Sequence, residues 1–166
     1  MATQNGIRLL EYNARFGDPE TMNVLSIMET DLVDICEAII EEKLDRLPII
    51  FQKKATVCKY VVPQGYPDNP IKGARIDLSQ VDKDSSDFMI YKAAIEEREG
   101  EVYMTGSRAI ACVGIGDTLS EAEQFAEKGA RAIKGPVFHR KDIGTQVLIQ
   151  KRIEHMESLA MAKQPE

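Results

Sequence analysis

Three polar side chains alternate along the stretch LLEYNARFGDPE: Glu11, Asn13 and Arg15. Residues 7–14 read as a strand, and alternation along a strand brings every second side chain to one face. A carboxylate and an amide oxygen ~7 Å apart along a strand are hard ligands suited to Mg²⁺, whose other positions are filled by water and phosphate oxygens. An arginine beside them can neutralise a transferring phosphoryl group. The pattern fits nucleotide chemistry, and it equally fits the solvated face of a strand.

The elements that must position these side chains form the first part of the chain. Asp18 is predicted to cap a helix, with Pro19 at the first helical position and Glu20 near the positive helix end. Apolar residues then recur at helical spacing over 24–44, and METD at 28–31 can divide this segment into two helices. The strand at 7–14 cannot stand alone, so we expect it to join a sheet formed elsewhere in this chain or on a separate piece.

A β-rich module is predicted from residue 52 onward. Four runs rich in β-branched and aromatic residues predict strands at 55–62, 88–95, 101–105 and 109–115. Thr118 and Glu121 form a capping-box pattern that opens a helix ending at Gly135-Pro136. We expect a mainly antiparallel module with this helix packed on one face, followed by a last helix over 145–161.

Composition and charge exclude several classes of function. The chain has 21 Lys and Arg against 27 Asp and Glu, so its net charge of −6 argues against a nucleic-acid partner. No apolar run approaches the ~20 residues of a membrane span, and no signal peptide is evident at the start. The three cysteines lack C-x-x-C spacing, which argues against a zinc site or a disulfide framework and favours a cytoplasmic protein. Cys36 is expected on the apolar stripe of its helix, and His155 on a helix surface rather than as a metal ligand.

The continuation of the opening stretch carries a resemblance. EYNARFGDPET resembles the segment E-[FY]-N-x-R-F-G-D-P-E-T of the phosphoribosylamine:glycine ligases, or glycinamide ribonucleotide synthetases, which are ATP-grasp enzymes of purine biosynthesis. Five later segments follow the family's order and spacing: GYP at 65–67, KG at 72–73, TGSR at 105–108, GDTLSEA at 116–122 and FHRKDIGT at 138–145. The chain departs from the family pattern where F-H-A-G-T is replaced by IYKAAI, S-E-G-Y-P by PQGYP and G-G-R by GSR.

The resemblance implies an α+β fold in two parts. Residues 1–51 would be the end of an ATP-grasp domain, and residues 52–166 a β-rich, barrel-sandwich-like C-terminal domain with packed helices. Glu11 and Asn13 would bind the magnesium, or manganese, that accompanies ATP, and Arg15 would act on the phosphate side of the reaction.

The implied reaction joins glycine to 5-phosphoribosylamine through glycyl phosphate. Asp18, Glu20 and Arg140 are candidate substrate-binding residues. Asp18 and Glu20 are equally explained as helix cap and dipole partner, and Arg140 as a partner of Asp142 in a turn.

Several parts of a complete ATP-dependent enzyme are not found in the sequence. It contains no G-x-x-x-x-G-K-[ST] loop, no dinucleotide fingerprint and no lysine-bearing strand that would clamp ATP. We therefore expect the chain to need an N-terminal half of the ligase as a partner and to be inactive without it. The alternative is a non-catalytic binding or assembly module with the same fold. A biotin-dependent carboxylase shares E-x-N-x-R, but FGDPET argues against it.

Overall fold

The structure, a computed structural model, describes residues 1–3, 5–82 and 84–161. Its strands in chain order are β1 (Ala2–Thr3), β2 (Gly6–Ile7), β3 (Ala55–Pro63), β4 (Arg75–Ile76), β5 (Phe88–Lys92), β6 (Ile95–Arg98), β7 (Glu101–Met104), β8 (Ile110–Gly116) and β9 (Val137–His139). Its helices are α1 (Glu20–Leu25), α2 (Leu32–Ile40), α3 (Leu119–Ala132) and α4 (Gln146–Met161), with a 3₁₀ turn at Leu44–Arg46. The fold is α+β with antiparallel pairing, as predicted.

An antiparallel sheet in the order β5-β8-β3-β9 forms the centre of the molecule. In its register Cys58 lies opposite Val113 and Lys59 opposite Cys112. Along β3 the side chains alternate between two environments. Val57 packs with residues of α3, whereas Cys58 packs with Val113 on the other face. β3 therefore contributes to two different surfaces, and both matter for the site.

Helix α3 covers one face of this sheet and begins with the predicted capping box. The Thr118 hydroxyl accepts from the Glu121 amide, and the Glu121 carboxylate accepts from the Thr118 amide. The helix ends at Ala132, close to the predicted Gly135-Pro136 stop. Gly114 on β8 allows a very close approach, because a Cβ there would lie 2.0 Å from the Ala122 carbonyl oxygen.

A smaller antiparallel sheet, in the order β4-β7-β6, lies beside the central one. The predicted strand at 88–95 is wrong in its extent, because it spans two elements of different sheets. β5 ends at Lys92, and β6 begins at Ile95 and pairs with β7. The strand predicted at 101–105 corresponds to β7, and the last predicted helix corresponds to α4.

The first part of the chain differs most from the prediction. The strand expected at 7–14 is not formed: β2 ends at Ile7, and residues 8–16 lie outside helices and strands. Among the described residues only the two-residue β1 pairs with β2, and Arg8 still bonds to Met1 beside this pair, so 9–14 has no neighbouring strand to complete its hydrogen bonds. The long helical segment is divided at METD, as the sequence allowed, and Asp31 caps α2.

Asp18 is not the helix cap that the sequence suggested. Pro19 occupies the N-cap position of α1 and makes no side-chain capping bond. The Asp18 carboxylate is instead bound by the side chains of Tyr60 and Arg108, which are distant in the sequence. Cys36 was also misplaced, because it is exposed on α2 rather than packed in a core. No helix in the described part of the chain is long and apolar enough to cross a membrane.

Candidate functional site

A cleft of about 400 Å³ opens on the face of the central sheet that α3 does not cover. This volume is within the range of small-molecule sites. Its walls are largely apolar, with two arginines among them: Pro19, Cys58, Tyr60, Val62, Tyr66, Pro67, Arg108, Phe138, Arg140 and Ile143. An apolar cleft with a few convergent charged groups is a general feature of ligand-binding sites.

Asp18 is tied to this cleft by two long-range contacts. The Tyr60 hydroxyl donates to Asp18 Oδ1 at 2.7 Å, and Arg108 Nη2 lies 3.1 Å from Asp18 Oδ2. The Arg108 guanidinium also lies over the Tyr60 ring, 5.1 Å from its centroid. These contacts explain why Asp18 is unavailable as a helix cap. They also fasten the N-terminal segment to β3 and to the loop before β8.

Burial and the neighbouring Asp18 carboxylate raise the pKa values of two ionisable groups of the cleft, Tyr60 and Cys58. Burial, together with the hydrogen bond to Asp18, raises the pKa of Tyr60 above its ordinary value. Burial raises the pKa of the Cys58 thiol to about 12, and the Asp18 charge adds to this effect. The raised pKa values make both groups poorly suited to act as a nucleophile or a general base near neutral pH.

Arg140 enters the cleft lining from the turn that follows β9. Its Nε and Nη2 donate to the two carboxylate oxygens of Asp142, at 3.1 and 2.6 Å. The pair expected from the sequence is therefore formed, and it holds the pKa of Asp142 below its ordinary value. Because Arg140 also lines the cleft, the pairing with Asp142 does not exclude contact with a ligand.

Beneath the cleft, on the α3 side of the sheet, lies a buried charge cluster. The Lys59 side chain is completely buried, and its ammonium donates to Glu123 Oε1 at 2.5 Å and to Glu127 Oε2 at 2.8 Å. Burial tends to raise the pKa of Glu127, but hydrogen bonds from Lys59 and Arg131 outweigh it and lower that pKa to about 2. Glu127 Oε2 also lies 3.0 Å from His139 Nε2.

The predicted metal-binding residues lie away from this cleft lining. Glu11, Asn13 and Arg15 are exposed, in the stretch without regular structure. Arg15 donates to the neighbouring Phe16 carbonyl at 2.9 Å. Within the described ranges, His, Cys, Asp and Glu side chains form no cluster of three or more that could hold a metal ion. Glu20 is exposed at the start of α1.

The two cleft residues that bind the Asp18 carboxylate, Tyr60 and Arg108, were not singled out from the sequence as site residues. Arg108 lies within TGSR, one of the segments that carried the resemblance, so that motif was the available signal. Four of the segments that carried the resemblance contribute to the one cleft, through Pro19, through Tyr66 and Pro67, through Arg108, and through Phe138, Arg140 and Ile143. Segments more than one hundred residues apart in the sequence thus form a single surface.

The fold and this cleft define an α+β domain with a ligand-sized surface built from separated motifs. The family described as "Phosphoribosylglycinamide synthetase, C domain" matches residues 56–146, more than half of the chain. The chain therefore belongs to that family.

Proteins similar to this chain carry a consistent name. It is 50% identical over 159 residues to a phosphoribosylamine–glycine ligase of Methanocaldococcus jannaschii, and 52% identical over 159 residues to one of Methanocella arvoryzae. Each alignment covers 96% of this chain and 36% of the relative. The chain thus spans about a third of the length of these relatives.

A solved structure supports the same relationship. The crystal structure of phosphoribosylamine–glycine ligase from Thermotoga maritima matches with a TM-score of 0.59 at 27% identity. The match covers 81% of this chain and 32% of that one. The mixed helix-and-sheet architecture with antiparallel strands is therefore shared with a ligase of this name.

Proposed function

We propose that this chain is the C-terminal part of an ATP-dependent ligase that joins glycine to 5-phosphoribosylamine. ATP would phosphorylate the glycine carboxylate, and the amine would then displace phosphate from glycyl phosphate to give glycinamide ribonucleotide. The observation that carries the proposal is that four segments resembling the family line one cleft. The chain is also 50% identical over 159 residues to a phosphoribosylamine–glycine ligase.

The finer division of the fold is part of this proposal. Residues 1–51 would complete an ATP-grasp domain, and residues 52–166 would be a barrel-sandwich-like C-terminal domain. The family match beginning at residue 56 and the start of β3 at Ala55 support this boundary. The absence of sheet partners for 9–14 among the described residues is consistent with a strand completed by another part of the ligase.

Glu11 and Asn13 are proposed to bind the magnesium, or manganese, of the ATP complex. Their oxygens are of the hard type that Mg²⁺ prefers, and Mg²⁺ commonly takes one or two protein ligands with phosphate and water. Both side chains are exposed, and neither makes a hydrogen bond or ion pair to another described residue, so they remain accessible to a metal. The bound metal would supply neutralisation of phosphate charge, and Arg15 would add a second positive charge to the same region.

The cleft is proposed to receive the substrates of the amine-transfer step. Arg140 and Arg108 provide planar guanidinium donors suited to a phosphate or carboxylate. Asp18 provides a carboxylate at the margin that can orient an amine, with Glu20 close by on α1. Because the protein mainly positions charged reactants here, catalysis would depend on alignment rather than on a protein nucleophile.

The N-terminal half of the ligase is proposed to dock on the apolar surface of the first part of the chain. This N-terminal apolar surface contains large side chains that are mostly exposed: Ile7, Leu9, Leu10, Tyr12, Phe16, Val33 and Ile40. Five of these side chains lie within residues 7–16, and such a concentration of exposed apolar side chains is typical of a segment that another polypeptide covers. Nearly two thirds of each relative's length lies outside the part that this chain matches, since the alignment covers only 36% of each.

Reconstitution tests the proposal. The chain is mixed with the N-terminal portion of a similar ligase, and ADP release that depends on both glycine and phosphoribosylamine is measured. We expect activity in the mixture, and at least a ~100-fold loss with Glu11→Ala or Arg15→Ala, because each removes charge stabilisation at the phosphates. Glu154→Ala and Arg152→Ala on the exposed face of α4 are the matched controls and should retain activity.

Two results would contradict different parts of this proposal. An inactive mixture in which the two pieces associate would favour a non-catalytic binding or assembly module. An active mixture indifferent to Glu11→Ala and Arg15→Ala would leave the ligase function standing and overturn the metal and phosphate assignments.

A further inference from the structure

The buried Lys59 is an unusual choice for a strand interior. Its ammonium has three donors, and the structure supplies three acceptors: Glu123, Glu127 and the Lys141 carbonyl oxygen at 3.0 Å. Removing an ammonium from water costs several kcal/mol, and well-packed apolar residues often replace buried ion pairs without loss of stability. Stability alone therefore does not account for a lysine at this position, and the third acceptor indicates what else it does.

That third acceptor belongs to the residue next to Arg140. Lys59 binds the carbonyl of Lys141, on one side of Arg140. On the other side, the His139 ring nitrogen lies 3.0 Å from Glu127, which itself binds Lys59. Both sequence neighbours of Arg140 are thus tied to one buried cluster.

The direction of the Arg140 side chain follows from this arrangement. His139 reaches toward α3 and is nearly buried, whereas Phe138 and Arg140 line the cleft on the opposite face. The backbone at Arg140 is thus held from both sides, while the Arg140 side chain, 60% exposed, extends along the cleft. Asp142 then fixes the guanidinium itself through two hydrogen bonds.

We propose that Lys59 and Glu127 are positioning residues that hold Arg140 at the cleft for the anionic group of a substrate. The identity of the anion rests on the proposed function, but the positioning of Arg140 does not. The cluster acts from the far side of the sheet, and Lys59, Glu123 and Glu127 do not line the cleft. It acts through the turn that carries Arg140, and through β3, where Cys58 and Tyr60 flank Lys59 and line the cleft.

Amide hydrogen exchange and NMR of the chain itself test the proposal directly. In Lys59→Met we expect amides of residues 139–142 to exchange at least ~10-fold faster, since their anchor is lost. The Arg140 Nε–H resonance should broaden or shift toward that of a free guanidinium. Amides of the β3–β8 ladder should keep their wild-type exchange rates.

Two further variants separate positioning from loss of fold. Glu127→Gln removes one charge but leaves the Lys59–Glu123 pair, so it should give the same exchange pattern more weakly. This variant decides the question if Lys59→Met fails to fold. Lys54→Met, which breaks a surface pair with Asp117, is the control and should change neither signal. Unchanged exchange at 139–142 in both test variants would overturn the proposal, and so would equal acceleration throughout the β3–β8 ladder.

A ligand-binding cycle provides a second readout, with ribose 5-phosphate as the probe. If Lys59 works through Arg140, Lys59→Met should weaken binding no more than Arg140→Ala does, and the double variant should be no weaker than Arg140→Ala. If the losses of binding free energy in the two single variants add up in the double variant, Lys59 does not act through Arg140. If the wild-type chain does not bind the probe, the substrate assignment of the cleft fails, and the exchange experiment alone decides whether Lys59 holds Arg140.

Discussion

Part of the destabilisation of the fold in acid should come from protonation of Glu127, and replacing Glu127 with glutamine should remove that part. Glu127 Oε2 accepts from Lys59 at 2.8 Å, and Oε1 accepts from Arg131 Nε at 2.7 Å. These bonds lower its pKa from 4.5 to about 2 despite its burial. A carboxyl group whose pKa is lowered in the folded state stabilises that state above its unfolded pKa, and the contribution is lost as the pH falls through the folded pKa.

The expected magnitude follows from the size of this shift. A difference of this size corresponds to about 3 kcal/mol when the carboxylate is fully ionised in both states. Solvent screening at the partly exposed Glu127 carboxylate reduces this stabilisation to about 1–2 kcal/mol. More than half of this contribution should disappear between about pH 5 and about pH 3, a window that begins just above the ordinary glutamate pKa of 4.5 and ends above the folded pKa of about 2.

Urea unfolding at several pH values measures this contribution. The free energy of unfolding of the wild type minus that of Glu127→Gln should shrink by about 1 kcal/mol as the pH falls through that window. Glu41→Gln is the control, because Glu41 forms only an exposed pair with Lys43 and its replacement should leave the pH dependence unchanged. A wild-type-minus-Glu127→Gln difference that stays constant with pH would refute the assignment of the low pKa to this cluster.

Two other predictions concern packing and thiol chemistry. Gly114→Ala should destabilise the fold by about 3 kcal/mol or more, since the new Cβ would lie 2.0 Å from the Ala122 carbonyl oxygen. Gly73→Ala, whose Cβ would have nothing within 4 Å, should cost only about 1 kcal/mol, because the backbone there is left-handed. Equal midpoints of urea unfolding for the two variants would disprove this difference. A thiol reagent at about pH 8 should modify Cys36 rapidly and leave Cys58 and Cys112 intact, because Cys36 is exposed while burial raises the pKa of each of the other two to about 12. Rapid modification of all three in the folded protein would contradict the burial of the sheet.

Local signals in the sequence predicted much of the central sheet and its helix. The runs that became β3, β7 and β8 are bounded by turn residues, and Thr118 with Glu121 forms a cap whose hydrogen bonds are entirely local. Such features do not depend on distant partners. The same is true of the Arg140–Asp142 pair, which joins residues two positions apart.

The errors arose where a distant partner decides the structure. The sequence around Asp18 is typical of a helix N-cap, but the Asp18 carboxylate is bound by Tyr60 and Arg108, which lie 42 and 90 residues away in the sequence. Lys59 was read only as part of a strand, because its partners Glu123 and Glu127 follow 64 and 68 residues later. Periodicity along a segment cannot reveal contacts at such separations.

The first part of the chain shows a different limit. Alternation at Glu11, Asn13 and Arg15 indicates a strand, but a strand forms only where another strand completes its hydrogen bonds. The metal assignment to Glu11 and Asn13 therefore remains a prediction, carried by the side-chain chemistry and by the resemblance of the segment.

The alternation of side chains along β3 makes the chain intolerant of a shift in register. Cys58, Tyr60 and Val62 line the cleft, whereas Lys59 lies with its carboxylates under α3. Deleting or inserting a single residue in β3 would exchange the two faces of everything beyond that point. Lys59 would then lie among the apolar walls of the cleft, and Tyr60 would lie against the carboxylates of α3. Length changes are therefore far more damaging in this strand than most point substitutions, because one shift destroys the binding surface and its support together.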